Sequence, residues 1–173
     1  MPTQYHWQDA AAYAARAHEH QKRRDGCTPY FSHPARVAII VACVFGVTDE
    51  AILTAALLHD VIEDTDHDYD DILKDFGKQV ADIVACLTKD MRLVESKREP
   101  AYDMQLARGP WPARLIKLAD VYDNLTDAAN IASRNKMIKK ARRALKLAAN
   151  ERRLAKPRAI VARLVKSMAA RRR

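Results

Sequence analysis

Residues 57–66 (LLHDVIEDTD) combine side chains that could bind a metal ion and carry out hydrolysis. His59 and Asp60 end a strongly apolar stretch, where an unpaired charge would be costly. On a helix, Glu63 lies one turn after His59, and Asp64 lies one turn after Asp60. An imidazole grouped with several carboxylates suits Mn, Fe, Zn and similar divalent ions. The segment therefore predicts a metal site, with a structural cap as the alternative.

Two further segments place isolated polar side chains beside apolar ones. In residues 29–37 (PYFSHPARV), His33 lies at the start of a predicted helix, where a surface histidine is the simpler interpretation. In residues 117–125 (KLADVYDNL), Asp120 interrupts an apolar stretch, and Asn124 lies one helical turn later on the same face. An exposed Asp on an amphipathic helix would explain that pattern equally well. Spacing alone leaves both alternatives open.

Helices must position these segments, because composition and periodicity both favour an all-α fold. The 173 residues include only 4 Gly and 7 Pro, and no strand-like alternation exceeds a few residues. Ser32 is expected to cap the second helix, and a break is expected near Pro157. The predicted helices cover residues 7–21, 32–45, 49–64, 69–76, 78–89, 112–129, 134–155 and 158–171.

Charge is divided unevenly along the chain. Residues 1–133 hold 14 Lys/Arg and 21 Asp/Glu, a net charge of −7, whereas residues 134–173 hold 16 Lys/Arg and one acid, a net charge of +15. An acidic body suits cation binding. A basic segment suits phosphates, nucleic acid or an acidic partner subunit, or is a solvated helix face. We predict one helical domain over residues 1–155 and a basic C-terminal helix or tail over residues 156–173.

Several protein classes are disfavoured by the sequence. A chain of this length buries about 70% of its unfolded surface, so it needs no disulfides to fold. Its longest apolar run, residues 37–45, is far shorter than the roughly 20 residues of a membrane span, and the N-terminus lacks a signal pattern. Three cysteines without CxxC spacing argue against a disulfide framework or a zinc knuckle, and they fit a cytoplasmic protein.

Together the three polar segments resemble the HD phosphohydrolase superfamily, whose signature is an isolated His, a His-Asp pair and a distant Asp. The finer resemblance is to the (p)ppGpp hydrolase domain of RelA/SpoT-type proteins and to free-standing small alarmone hydrolases. It spans about residues 8–130, and it implies an all-α HD-domain bundle with a central divalent-metal site and, here, a basic C-terminal arm. The segments that carry it are residues 23–34, 59–65, 76–89 and 117–125.

The resemblance also implies roles for individual residues. Glu63 and Asp64 would handle the attacking water and the proton transfers. One divalent ion per chain, usually Mn²⁺ in this family, would be bound by His33, His59, Asp60 and Asp120.

Three residues match positions that contact substrate in the family. Asn124 would contact the nucleotide, Arg23 would pack on the base, and Arg24 would lie near the phosphates. The chain departs from the family's usual residue types nearby, and these departures concern base and phosphate recognition. The departing positions are Val121, Asp123, Thr126 and Asp127.

The implied activity is removal of the 3′-pyrophosphate from (p)ppGpp or (p)ppApp, without synthetase activity. One alternative is an HD phosphohydrolase acting on another nucleotide such as NADPH. Another is a nucleic-acid- or ribosome-binding protein that uses residues 134–173, and a homo-oligomer remains open. Some of the cations early in that segment are expected to face the site and hold a diphosphate; the candidates are Lys136, Lys139, Lys140, Arg142 and Arg143.

Overall fold

Helices dominate the computed structural model, which describes residues 6–170. Within this range no strand forms, and only an isolated bridge joins Lys22 to Pro29, so the all-α prediction is confirmed. Ile40–Phe45 continues the second helix as a π-helical turn, and Arg152–Leu154 forms a 3-10 turn. The helices are α1 (His6–Ala17), α2 (Ser32–Ile39), α3 (Glu50–Leu58), α4 (Val61–Asp64), α5 (Tyr69–Leu87), α6 (Glu95–Arg108), α7 (Trp111–Thr126), α8 (Ile131–Leu147) and α9 (Ala155–Ala170).

The core surrounds α3, which is apolar on nearly every side. Asp49 starts this helix, because its Oδ1 accepts a hydrogen bond from the Ile52 backbone N–H at 3.0 Å. Helices α1, α2, α5 and α7 all pack on α3. Leu58, at the end of α3, is fully buried, and the next residue is His59. The apolar helix therefore carries the histidine into the centre of the bundle.

The C-terminal helices pack on the body of the bundle. Helix α8 lies against α7, and α9 lies against both α7 and α8. Val161 and Val165 of α9 are buried there. The domain boundary at residue 155 stays a prediction, and residues 171–173 lie outside the described range. No helix within residues 6–170 is both long and apolar enough to cross a membrane.

Two expected helix boundaries near the polar segments are wrong. Residues 49–64 do not form one helix: α3 ends at Leu58, and a turn at His59–Asp60 precedes α4. On a continuous helix, adjacent side chains would point about 100° apart. The turn lets the adjacent side chains of His59 and Asp60 point into the same site instead. Ser32 does not cap α2 either, because Phe31 already has helical dihedral angles and the Ser32 hydroxyl lacks a hydrogen-bond partner.

Other differences lie farther along the chain. Helix α6 was unassigned because its sequence is polar and contains Pro100. The last two helices separate at residues 148–154, before Pro157. The boundary expected after Phe76 is confirmed, because Gly77, at φ 79° and ψ 167°, is non-helical and divides α5 into two helical segments at a kink. Gly109 joins α6 to α7, and a Cβ there would overlap the Sγ atom of Cys86 on α5. Glycine thus lets α7 begin directly against the end of α5.

Candidate active site

Four polar side chains converge at the centre of the bundle. The Nε2 atom of His33 lies 3.3 Å from Asp120 Oδ1 and 3.5 Å from Asp60 Oδ2. The Nε2 atom of His59 lies 3.2 Å from the same Asp60 oxygen. Both imidazoles are almost fully buried. The structure therefore brings together all four residues that the sequence proposed as metal ligands.

Three elements deliver these side chains. His33 lies in the first turn of α2, Asp120 lies in the middle of α7, and His59 and Asp60 occupy the turn between α3 and α4. Helices α2, α3 and α7 pack on one another, so their relative positions are fixed by the core. The site is thus built on rigid elements rather than on a loop.

The donor atoms fit a divalent cation. His59 Nδ1 lies 2.9 Å from the Ala56 carbonyl oxygen, which can only accept, so Nδ1 carries a proton and Nε2 is the nitrogen that can bind a metal ion. That Nε2 is buried without a hydrogen-bond partner, 3.2 Å from a carboxylate oxygen. A proton or a metal cation between these two atoms would satisfy both. Ligand atoms of His33, His59 and Asp60 all lie within 4.8 Å of one another, a spacing suited to one ion.

The electrostatics keep both carboxyl groups ionised. Burial alone would raise the pKa of Asp60, but His59 and His33 hold that pKa below its usual range. Burial likewise opposes ionisation of Asp120, yet Lys117 and His33 hold its pKa well below the usual range. For His33, burial is outweighed by hydrogen bonds with Asp120 and Asp123, which raise its pKa to about 9. A cation would replace the proton among these groups.

The two proposed catalytic acids lie at the edge of this cluster. Glu63 Oε2 accepts a hydrogen bond of 2.9 Å from the Lys89 backbone N–H, at the end of α5. The Tyr30 hydroxyl donates to Asp60 Oδ2 at 2.7 Å and lies 3.1 Å from Asp64 Oδ2. Burial raises the pKa of both Glu63 and Asp64. Both carboxylates are therefore held near the cluster as stronger bases than free side chains.

The residues proposed to bind substrate occupy one side of the cluster. Arg23 Nη2 donates to Asp127 at 2.8 Å and to Asn124 Oδ1 at 3.4 Å, and its guanidinium carbon lies 5.7 Å from the Tyr30 ring centre. Asn124 Nδ2 in turn donates to Asp120 Oδ1 at 2.5 Å. Arg24 is exposed in the same cleft. Arg23 and Asn124 are thus tied to the polar cluster itself.

A cleft of about 230 Å³ opens above the polar cluster. Its floor holds Asp60, Glu63, Asp64 and Asp120 with His33, while its walls are cationic. This distribution suits a substrate with several phosphate groups, because cations on the walls can neutralise phosphate oxygens around a metal-binding floor. The cationic lining residues are Lys22, Arg23, Arg24, Lys89, Lys117 and Lys140.

Sequence reasoning missed several cleft residues. Lys89 and Lys117 lie in the segments that carry the family resemblance, but their sequence context predicts no role for them. In the structure their ammonium groups lie 5.3 and 5.4 Å, respectively, from the Tyr102 ring centre. Lys117 also pairs with Asp120 at 2.6 Å. Of the basic residues in 134–146, Lys140 lines the cleft, whereas Arg143 is bonded to Glu99 and Asp103. Only a prediction of which face of α8 points toward the cleft could have distinguished Lys140 from Arg143.

The family departures lie in different surroundings. Val121, where the family usually has a basic residue, is buried in the core and contributes nothing to the cleft. The Thr126 hydroxyl donates to the Asp123 carbonyl oxygen at 2.8 Å. Asp123 is itself buried behind His33, and Asp127 pairs with Arg23. The four departing residues therefore lie around the polar cluster without lining the cleft.

Comparisons with known proteins agree with this arrangement. A sequence profile described as HD domain matches residues 10–150. Guanosine-3′,5′-bis(diphosphate) 3′-pyrophosphohydrolase MESH1 of Drosophila melanogaster is 43% identical over 116 residues, which cover 66% of this chain and 65% of the fly protein. The Homo sapiens MESH1 protein is 42% identical over 120 residues, which cover 69% of this chain and 67% of the human protein. The matched region thus spans about two thirds of the length of these relatives.

A solved structure extends the likeness to nearly the whole chain. It belongs to a metazoan orthologue of SpoT described as hydrolysing ppGpp and playing a role in starvation responses. The TM-score is 0.84 at 30% sequence identity, and the superposition covers 96% of this chain and 97% of the other. The shared fold therefore extends to α9, which lies beyond the matched sequence profile.

Proposed function

Because this chain belongs to the HD-domain family, we propose that it hydrolyses the 3′-pyrophosphate ester of a guanosine or adenosine alarmone, (p)ppGpp or (p)ppApp. The observation that carries this proposal is the polar cluster of two imidazoles and two carboxylates on the floor of a cationic cleft. Relatives named for ppGpp hydrolysis support the substrate class. The proposed products are pyrophosphate and the nucleoside 5′-diphosphate or 5′-triphosphate.

The polar cluster would hold one divalent ion, for which we propose Mn²⁺. When bound, such an ion lowers the pKa of a coordinated water and neutralises charge on phosphoryl oxygens. Mixed imidazole and carboxylate donors are consistent with Mn²⁺ but are shared by Fe and Zn sites. The residues proposed to hold the ion are His33, His59, Asp60 and Asp120.

Glu63 and Asp64 would manage the proton. A carboxylate with a raised pKa is a better general base near neutral pH than an ordinary Glu or Asp. Glu63 is oriented by the Lys89 backbone N–H, which leaves its second oxygen for a water molecule. Asp64 is positioned by the Tyr30 hydroxyl. We assign orientation and deprotonation of the attacking water to this pair, and return of the proton to the leaving 3′ oxygen.

The cleft walls would bind the nucleotide. Arg23, beside Tyr30, offers a guanidinium plane against which a purine can stack, and Asn124 offers an adjacent amide. Cations at the other wall would hold phosphates. Lys140 is the most available of these, since within residues 6–170 it has no acidic side-chain partner, unlike Lys89 and Lys117. Base stacking on one wall and phosphate binding on the other orient the scissile ester over the polar cluster.

Product analysis tests the proposal directly. Purified protein with Mn²⁺ would be given ppGpp, ppApp and NADPH, and released phosphate and pyrophosphate would be separated by chromatography. Pyrophosphate from ppGpp or ppApp is the expected result, and it would identify the base. Orthophosphate from NADPH alone would overturn the alarmone assignment. No product from any substrate would favour a binding role for residues 134–173.

Two variants connect the product to the site. Asp60→Asn removes a proposed metal ligand and should abolish release of pyrophosphate. Asp66→Asn removes an exposed carboxylate six residues later that does not line the cleft, so it should keep full activity. Equal activity of the two variants would place the reaction elsewhere.

A further inference from the structure

Asp123 is a buried carboxylate that the proposed chemistry does not use. It lies on α7 one turn after Asp120 and is 2% exposed. It does not line the cleft. An ionised side chain in such a position is costly unless it is fully paired, so its partners indicate its role.

The first partner is His33, on the side of the ring opposite the polar cluster. Asp123 Oδ2 lies 2.7 Å from His33 Nδ1, while His33 Nε2 faces Asp60 and Asp120. Because a carboxylate only accepts hydrogen bonds, Nδ1 must carry a proton. The contact keeps the proton on Nδ1, so Nε2 is the nitrogen whose proton a metal cation can displace, and it fixes the plane of the ring.

The second partner is Arg36, three residues after His33 on α2. Its Nε donates to Asp123 Oδ1 at 2.6 Å, and its Nη2 donates to Asp123 Oδ2 at 3.0 Å. This two-point contact orients the carboxylate. Arg36 therefore fixes the Asp123 carboxylate in the orientation in which its Oδ2 faces the His33 imidazole.

We propose that Asp123 is a positioning residue that orients His33 for metal binding, with Arg36 holding the carboxylate in place. The proposal rests on the metal site of the proposed function. Histidine ligands commonly donate their second ring nitrogen to a carboxylate, which raises the basicity of the ligand and fixes its direction. His59 instead uses a backbone carbonyl, so the two histidines differ in how they are oriented. The departure at Asp123 thus concerns the metal rather than the base.

The test compares metal affinities in the absence of substrate. Metal-free full-length protein would be titrated with Mn²⁺ by calorimetry, as wild type and as Asp123→Asn. Loss of such a partner typically weakens metal binding about 10- to 100-fold, and we expect a change in that range. Equal affinity of the two proteins would overturn the proposal.

Asp127→Asn is the matched control. Asp127 pairs with Arg23 and lies 3.6 Å from Arg36, so its replacement removes one negative charge from the same group of arginines without touching His33. Its Mn²⁺ affinity should stay within about 3-fold of wild type, a smaller change than the 10- to 100-fold loss expected when an orienting partner is removed. A loss as large as that of Asp123→Asn would show a general charge effect and overturn the positioning role.

A spectroscopic measurement separates positioning from misfolding. In the Zn²⁺-loaded wild type, the His33 Nδ1–H proton should give a downfield NMR signal typical of a hydrogen bond to carboxylate. In Asp123→Asn that signal should move upfield, whereas that of His59 should not change. If Asp123→Asn fails to fold, Arg36→Gln keeps the carboxylate and should shift the same signal by less. An unchanged His33 signal in a folded variant would overturn the proposal.

These measurements are separable from the proposed function. A wild-type protein that binds Mn²⁺ but releases no pyrophosphate would refute alarmone hydrolysis, and the difference between the variants would still support the role of Asp123. Conversely, active wild type with equal metal affinity in Asp123→Asn would refute only the positioning role.

Discussion

Glu63 lies beside the polar cluster but is not one of its four proposed metal ligands. Replacement Glu63→Gln keeps the size of the side chain and removes its basicity. We therefore expect kcat to fall by about 10²- to 10⁴-fold, the usual contribution of a general base, with unchanged Mn²⁺ affinity. Steady-state kinetics on the best alarmone and a Mn²⁺ titration would measure the two quantities. Normal turnover, or a matching loss of metal, would contradict this role.

Lys140 gives a prediction about pH. Desolvation and repulsion from Lys89 and Lys117 lower its pKa below the ordinary value of 10.5, with Lys136 adding to the effect and Asp120 opposing it. The charged form attracts phosphate, so KM should rise as pH increases through this lowered pKa. Lys140→Arg stays charged over the whole range and should remove that rise.

The measurement is KM between about pH 7 and 10, where an arginine does not titrate. Lys139→Arg is the control, because Lys139 is exposed and does not line the cleft. An alkaline rise that survives in Lys140→Arg would assign the effect to another group.

Among individual residues, sequence reasoning found the side chains that converge in the polar cluster but not those that contact them from behind. His59 and Asp60 stand out because they adjoin a stretch apolar enough to be buried, where ionisable residues are rare unless they are paired. Asp123 does not stand out, since its role depends on the packing of α2 against α7. The same holds for Tyr30, whose hydroxyl reaches Asp60 only after the 22–31 loop folds back.

Helix α8 is the element that brings Lys140 to the cleft. It begins with a reciprocal cap in which the Asn130 side chain accepts from the Ser133 N–H and the Ser133 hydroxyl accepts from the Asn130 N–H. Replacement Asn130→Ala should lower the free energy of unfolding by about 1 kcal/mol. Urea denaturation measures it.

Asn135→Ala provides the comparison within α8. Asn135 is exposed in the helix interior, where alanine is the better helix former, so stability should be equal or slightly higher. If the two replacements had the same effect, the cap would not stabilise the helix.

Among the elements, hydrophobic periodicity predicted the helices that have a continuous apolar face. It did not predict the elements whose presence or boundaries depend on tertiary packing. Helix α6 is polar throughout, and only Tyr102 and Leu106 are buried. The break at His59–Asp60 was hidden because apolar residues continue on both sides of it. Tertiary contacts, rather than local preference, end α3 there.

At the scale of the whole molecule, α9 packs on the bundle as a structural element. Val161 is fully buried, so Val161→Ala should cost about 2 kcal/mol through lost apolar contacts and the space left behind. Val94→Ala is the matched control, because Val94 is 64% exposed, and it should change stability little. Circular dichroism and tryptophan fluorescence should report one common unfolding transition. Separate transitions would support an independent C-terminal tail.

The charge split was visible in the sequence, but its arrangement in space was not. Cations in the cleft come from four separate parts of the chain, namely residues 22–24, Lys89, Lys117 and Lys140. Counting charges cannot separate Lys140, in the cleft, from Arg143, which is neutralised by Glu99 and Asp103. That separation depends on which face of α8 packs against α6 and α7.

The contact between Gly109 and Cys86 has an evolutionary consequence. The φ of Gly109 is ordinary, so the Cys86 sulfur atom and the Gln105 carbonyl oxygen, rather than the local backbone conformation, disfavour a larger residue. A descendant of this chain that gains a side chain at position 109 would have to move or replace the Cys86 side chain. Substitutions at the two positions should therefore be coupled, and a side chain at position 109 beside an unmoved sulfur would loosen the contact between α5, which precedes Lys89, and α7, which carries Asp120.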